Sequence, residues 1–168
     1  MKKYFVLFMV SILSVLMGAC LSWVNNPPVQ EDVLYGIGSA KMGSESTSWK
    51  AAENRARESV AFQIHAAINA LQVDYNREVG TGNRIAASSL FESVNRQATS
   101  TAMSGARIVK RGKRGGTYYV MVSYQIANIK NSINGAATQS GVGLTQVEID
   151  ALVQNALQKL SEQTPQVN

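Results

Sequence analysis

The chain has 168 residues, with 16 Lys and Arg against 11 Asp and Glu, a formal charge of +5, one cysteine and one histidine. That length suits one domain with one core. A sole cysteine excludes a disulfide framework. A sole histidine, with no second His, Cys or carboxylate at ligand spacing, excludes the usual zinc signatures.

Two lysines, Lys2 and Lys3, precede the apolar run YFVLFMVSILSVLM, which ends on Gly18 and Ala19. Positive n-region, apolar h-region and small residues are the layout of an export signal. Cys20 follows at once. Met17-Gly18-Ala19-Cys20 resembles the bacterial lipobox, in which the cysteine thiol is diacylated and the signal is cut just before it. Met17 stands where Leu is usual. Two other readings stay open: an uncleaved span over Tyr4 to Val24, since a span needs about 20 apolar residues, and an ordinary signal with an incidental cysteine. The residue after Cys20 is Leu21, not the Asp that retains lipoproteins at the inner membrane of many diderm bacteria, so the resemblance points to the outer membrane. Cleavage before Cys20 removes Lys2 and Lys3 and takes the formal charge from +5 to +3. In an exported chain that surplus does not point to nucleic acid.

The expected organisation is a signal over 1–19, a lipidated cysteine and tether over 20–32, a domain over 33–133, a linker over 134–144 and an amphipathic helix over 145–163. Residues 21–32 lack periodicity and contain Pro27 and Pro28, which suits a tether. Val33 to Ala40 reads as a strand whose Gly36 and Gly38 mark a bulge or a close backbone approach. A phosphate loop fails there, because Lys41 stands where the dinucleotide fingerprint needs its third glycine and Gly43-Ser44-Glu45 does not match Gly-Lys-Ser/Thr. From about Ser46 to Gln72 the apolar positions Trp49, Ala52, Ala56, Val60, Ile64, Ile68 and Leu71 recur at helical steps. Ser46, Thr47 and Ser48 offer N-cap hydroxyls. Glu53 and Arg57 form an i,i+4 pair. His65, beside the stripe, reads as structural.

The run VGTGN at 79–83 interrupts the pattern. A second helix follows over roughly Arg84 to Ser104, with Ile85, Leu90, Val94, Ala98 and Ala102 on one side and Gly105 as its C′ residue. Residues 106–126 then read as a hairpin: two strand-forming runs around a Gly-rich basic turn. Its second run is apolar on both faces, which predicts a central strand. Lys110, Arg111, Lys113 and Arg114 crowd the turn. They read either as a solvated tip that blunts edge pairing or as a contact for lipid phosphates or an acidic partner. After Asn128 comes a short helical or irregular piece, then the small-residue run 134–143. Thr145 and Glu148 have capping-box spacing and Leu144 and Ile149 staple spacing. Ile149, Leu152, Val153, Ala156, Leu157 and Leu160 form a narrow apolar seam that docks on its own domain or on another copy.

The string GIGSA, AAENRARESVAFQI, SGARIVKR and GTYYVMVSY resembles the Lpp-twenty family of bacterial lipoproteins over about residues 33–130. That resemblance implies an α+β domain, a small antiparallel sheet in strand, helix, helix, hairpin order packed on a long Ala-rich helix. The family includes a surface antigen and flagellum-associated outer-membrane lipoproteins. Some members are implicated in motility, and some build rings or disks around the flagellar motor.

No catalytic constellation is legible. The histidine lacks a triad partner, the cysteine is expected to carry lipid, the acidic residues are scattered, and no metal or cofactor is expected beyond the lipid on Cys20. The expected function is therefore a structural or assembly role in the envelope, with a periplasm-facing domain, a membrane contact through lipid and self-association or envelope and flagellar proteins as partners. The alternative is a monomeric surface-antigen or binding module that contacts lipid or an acidic partner through the basic hairpin.

Overall fold

The computed structural model describes residues 21–30, 32–78 and 84–140 and positions 147, 150, 151, 154, 155, 158 and 159. Cys20, the run 79–83 and the seam positions Ile149, Leu152, Val153, Ala156, Leu157 and Leu160 lie outside the described residues.

The elements in order are α1 (Ser22–Asn25), β1 (Val33–Ala40), α2 (Glu45–Glu78), α3 (Arg84–Gly105), β2 (Arg107–Arg114), β3 (Thr117–Gln125) and α4 (Ala127–Ser140). The strands form one antiparallel sheet in the order β1-β3-β2. The fold is α+β, with this sheet packed on the long helix α2, and the described positions from 147 to 159 belong to a C-terminal helix. The expected central strand is central because β3 is apolar on both sides: Val120, Met121 and Val122 are all buried.

The helix α2 can approach the sheet closely because both surfaces lack side chains at the crossing. Leu34, Gly36, Gly38 and Ala40 form the buried row of β1. A Cβ on Gly36 would overlap the Ala56 carbonyl oxygen and come 2.7 Å from Val60 Cγ2; one on Gly38 would overlap the backbone of Ala52 and Ala56 and come 2.8 Å from the Arg55 carbonyl carbon. The two glycines and Ala52 and Ala56 thus form one contact, and the close approach predicted for the glycines is found. The rest of the predicted stripe is buried, except that Trp49 is partly so.

Both sheet edges are protected. On β1, the Arg55 guanidinium donates to the Ser39 carbonyl at 2.6 Å and the Gln63 amide donates to the Tyr35 carbonyl at 3.0 Å. On β2, a bulge between Ile108 and Lys110 and a run of cations interrupt the free edge, two devices that discourage pairing with another strand. Gly115 and Gly116 close the hairpin with φ of +58° and +79°, the pair of left-handed residues that a tight hairpin turn requires.

The structure corrects four details. The helix α2 runs on past Gln72 to Glu78 and is capped by Ser44, whose hydroxyl accepts from the Thr47 amide at 3.2 Å; Ser48 is instead buried, accepting from the Met42 amide and donating to the Ser44 carbonyl. Gly105 closes α3 without a left-handed φ. The small-residue run begun at 134 is helical as far as Ser140, because Ile126, Ile129, Ile133 and Ala136 are buried in the common core and hold the preceding and following turns. Residues 21–30 are not bare tether: Trp23 is 7% exposed, Gln30 bridges Val33 and the Tyr35 hydroxyl donates to Gln30 Oε1 at 2.7 Å. The C-terminal helix lies beside α4, with Lys130 Nζ 3.6 Å from Asp150 Oδ1.

Candidate functional site

The four cations singled out near the hairpin turn lie on β2, and strand alternation divides them. Register sets Ile108 opposite Val122, Lys110 opposite Met121, Arg111 opposite Val120, Gly112 opposite Tyr119 and Lys113 opposite Tyr118. Val120, Val122 and Tyr118 belong to the helix-facing row of β3. Arg111 and Lys113 therefore face α2, and Lys110 and Arg114 face away from it.

Each member of the helix-facing pair meets a carboxylate of α2. The Arg111 guanidinium lies 5.7 Å from the Trp49 ring centroid and 3.6 Å from Glu53 Oε2. Glu53 also accepts from Arg57 at 2.9 Å, and Arg57 donates to the Met103 carbonyl at 3.0 Å, so one carboxylate joins α2 to β2 while its partner joins α2 to α3. Lys113 Nζ lies 4.7 Å from the Tyr118 centroid and 3.7 Å from Glu45 Oε2. Its pKa is raised, first by the Tyr118 side chain beside it and also by the Glu45 carboxylate. Trp49 stands edge-on to Tyr118 at 4.8 Å. These contacts form a cation–aromatic stack along one side of the hairpin, which ties Arg111 and Lys113 to α2.

The outward pair keeps its charge available. Lys110 and Arg114 are exposed and, among the described residues, make no ion pair. Two cations that sequence reasoning did not group with them share this region: Arg107, opposite Ser123, and Lys41, whose Nζ would stand 3.8 Å from a Cβ on Gly116. The signal that could have found Arg107 is its place at the start of the same strand. Lys41 is adjacent only through β1 pairing with β3.

Between Lys110 and Arg114, Gly112 is covered by the N-terminal segment. A Cβ there would overlap Leu21 Cδ2 and lie 3.4 Å from Trp23 Cζ2. The residues directly after Cys20 thus rest on the outward side of the basic strand.

His65 is exposed and sits among amides: its Nδ1 is 2.6 Å from Asn95 Nδ2 and its Nε2 is 2.9 Å from Asn69 Nδ2. This joins α2 to α3, as a structural histidine does. Ile68, Leu71, Leu90, Phe91, Val94 and Ile133 line a small apolar crevice among α2, α3 and α4. Among the described residues no group of three His, Cys, Asp or Glu side chains could hold a metal, and no helix is long and apolar enough to cross a membrane.

The fold defines a small α+β domain with one helix-covered antiparallel sheet. No family model matches the chain and no curated protein does. Among solved structures it is similar to the secreted protein HP1454 from the human pathogen Helicobacter pylori, at 19% identity and a TM-score of 0.34, over 83% of this chain. The chain spans 56% of that protein's length.

Proposed function

We propose that this chain is an outer-membrane lipoprotein acylated on Cys20, and that its domain has a non-enzymatic structural or assembly role in the cell envelope. The observation that carries the reading is the junction between the expected lipid and the fold. The lipobox-like Met17-Gly18-Ala19-Cys20 runs straight into Leu21 and Trp23, which pack on the sheet. Acyl chains on Cys20 would hold the domain at the membrane surface, and three chains make durable anchoring, since each buried methylene contributes about 0.8 kcal/mol. The resemblance to the Lpp-twenty family extends the reading to a ring or disk subunit at the flagellar motor that is needed for motility.

The anchor is tested by intact mass of membrane-purified protein and by labelled palmitate. Wild type should carry acyl chains and Cys20→Ser should not incorporate label; a free thiol at Cys20 in the membrane-purified protein refutes the anchor. The assembly role is tested by replacing Leu152 and Leu157 together with Asp. Loss of assembly and motility at normal protein levels supports a subunit. Normal assembly and motility refutes it.

A second reading is favoured by the exposed Lys110 and Arg114, which make no ion pair among the described residues: a monomeric binding or surface-antigen module. Sedimentation at several protein concentrations separates the two, because a module stays monomeric throughout.

A further inference from the structure

The outward side of β2 carries a row of cations, interrupted at Gly112 by the start of the folded chain. Arg107, Lys110 and Arg114 project from it, and Lys41 adds a fourth cation at the turn. All four are exposed, and none forms an ion pair among the described residues. The sequences of β1, β2 and β3 contain no Asp or Glu. Leu21 covers Gly112 in the middle of this row. In the sequence Cys20 directly precedes Leu21.

We propose that this face rests on the anionic headgroups of the phospholipid leaflet that holds the Cys20 acyl chains, with lipid phosphates as the ligands of Arg107, Lys110, Arg114 and Lys41. The inference rests on the acylation of Cys20 proposed above. Two features select a lipid surface as the occupant. The row extends along about 20 Å of strand, too long for a single phosphate and suited to several headgroups. A lipid on Cys20 is also only one residue from a side chain seated in the row, so the anchored domain cannot carry this face far from the bilayer. Anionic lipid then supplies the complementary charge, and each cation near such a surface strengthens association about five-fold.

The test uses the full acylated protein reconstituted in vesicles of phosphatidylcholine alone or with a third of phosphatidylglycerol. Lysines are acylated with a membrane-impermeant reagent and read by mass spectrometry. In the anionic vesicles, Lys41 and Lys110 should react about five-fold more slowly than in the zwitterionic ones, while exposed Lys50 on α2 reacts equally in both. Arg107→Gln with Arg114→Gln, both at exposed sites, should return Lys110 to the zwitterionic rate. Equal reactivity of Lys41 and Lys110 in the two vesicle types, on protein whose intact mass shows the acyl chains, overturns the docking and leaves the anchor standing. An intact mass without acyl chains overturns the anchor and the docking with it. Protection in native envelopes but not in anionic vesicles assigns the row to an acidic protein and likewise overturns the proposal.

Discussion

Gly38 lies against the backbone of Ala52, so closely that a Cβ on the glycine would occupy the space of the alanine's carbonyl oxygen. The obstacle is helix backbone in the N-terminal third of α2 and cannot rotate away. Gly38→Ala must therefore push the helix off the sheet, at the upper end of the usual overpacking cost, about 3 kcal/mol. For a chain of this size that lowers Tm by roughly 6–12 °C. Gly43→Ala, with nothing within 4 Å of its Cβ position, should leave Tm within a degree or two. Equal melting of the two variants by scanning calorimetry would contradict the close approach.

Ala56 is fully buried between β1 and α2. Ala56→Glu places a carboxylate there without a counter-charge and should cost several kcal/mol of a total of about 5–15. Circular dichroism should show an unfolded or molten chain at neutral pH. Asn54→Glu, at an exposed position on the same helix, should melt as wild type.

Arg111 and Trp49 should couple in a double-mutant cycle. Their contact is half-exposed, which limits the coupling to about 0.5–1 kcal/mol. Replacing Glu53 by Gln should remove the salt-sensitive part of Arg111's contribution and leave the Trp49 part, so urea midpoints at low and high salt tell the two apart.

Tyr124 is 1% exposed, and its hydroxyl has no hydrogen-bond partner among the described residues. Burial pushes its pKa above the ordinary tyrosine value. The folded state therefore keeps its proton at a pH where the unfolded chain has lost it. The resulting contribution is full below about pH 10 and is lost as the pH rises through the folded pKa. Tyr124→Phe should flatten this alkaline loss, and near neutrality it should be neutral or up to about 1 kcal/mol stabilising, since it removes an unsatisfied polar group. A steep alkaline limb that persists in Tyr124→Phe would assign it to another group.

Trp23 tests whether the chain just after Cys20 belongs to the domain. Trp23→Ala should lower stability by about 3–5 kcal/mol, because a large ring is removed from a covered site. Trypsin should then cut after Lys110 or Arg111 faster than in wild type. Unchanged melting and cleavage would return residues 21–26 to the status of a tether.

Much of the domain was legible from residue spacing. A period near 3.6 from Trp49 to Leu71 specified the buried stripe of α2, and a period of two in β3, apolar on both sides, specified a central strand. The paired glycines of β1 and the alanines of α2 each called for close approach, although neither pattern alone names the other as its partner. The continuation of α4 from Asn134 to Ser140 was hidden because Asn134, Gly135 and Ser140 are poor helix formers; burial of Ile129, Ile133 and Ala136 outweighs that preference.

The division of the hairpin cations was a tertiary outcome. Simple alternation from Ile108 would turn Lys110, Gly112 and Arg114 toward α2 and leave Arg111 and Lys113 outside. The bulge at Val109 reverses this, since one extra residue shifts every later side chain to the other face. Composition determines that β2 is basic. Only the packed sheet, with Trp49 and Glu53 on one side and Leu21 on the other, decides which charges stabilise the fold and which remain outside it.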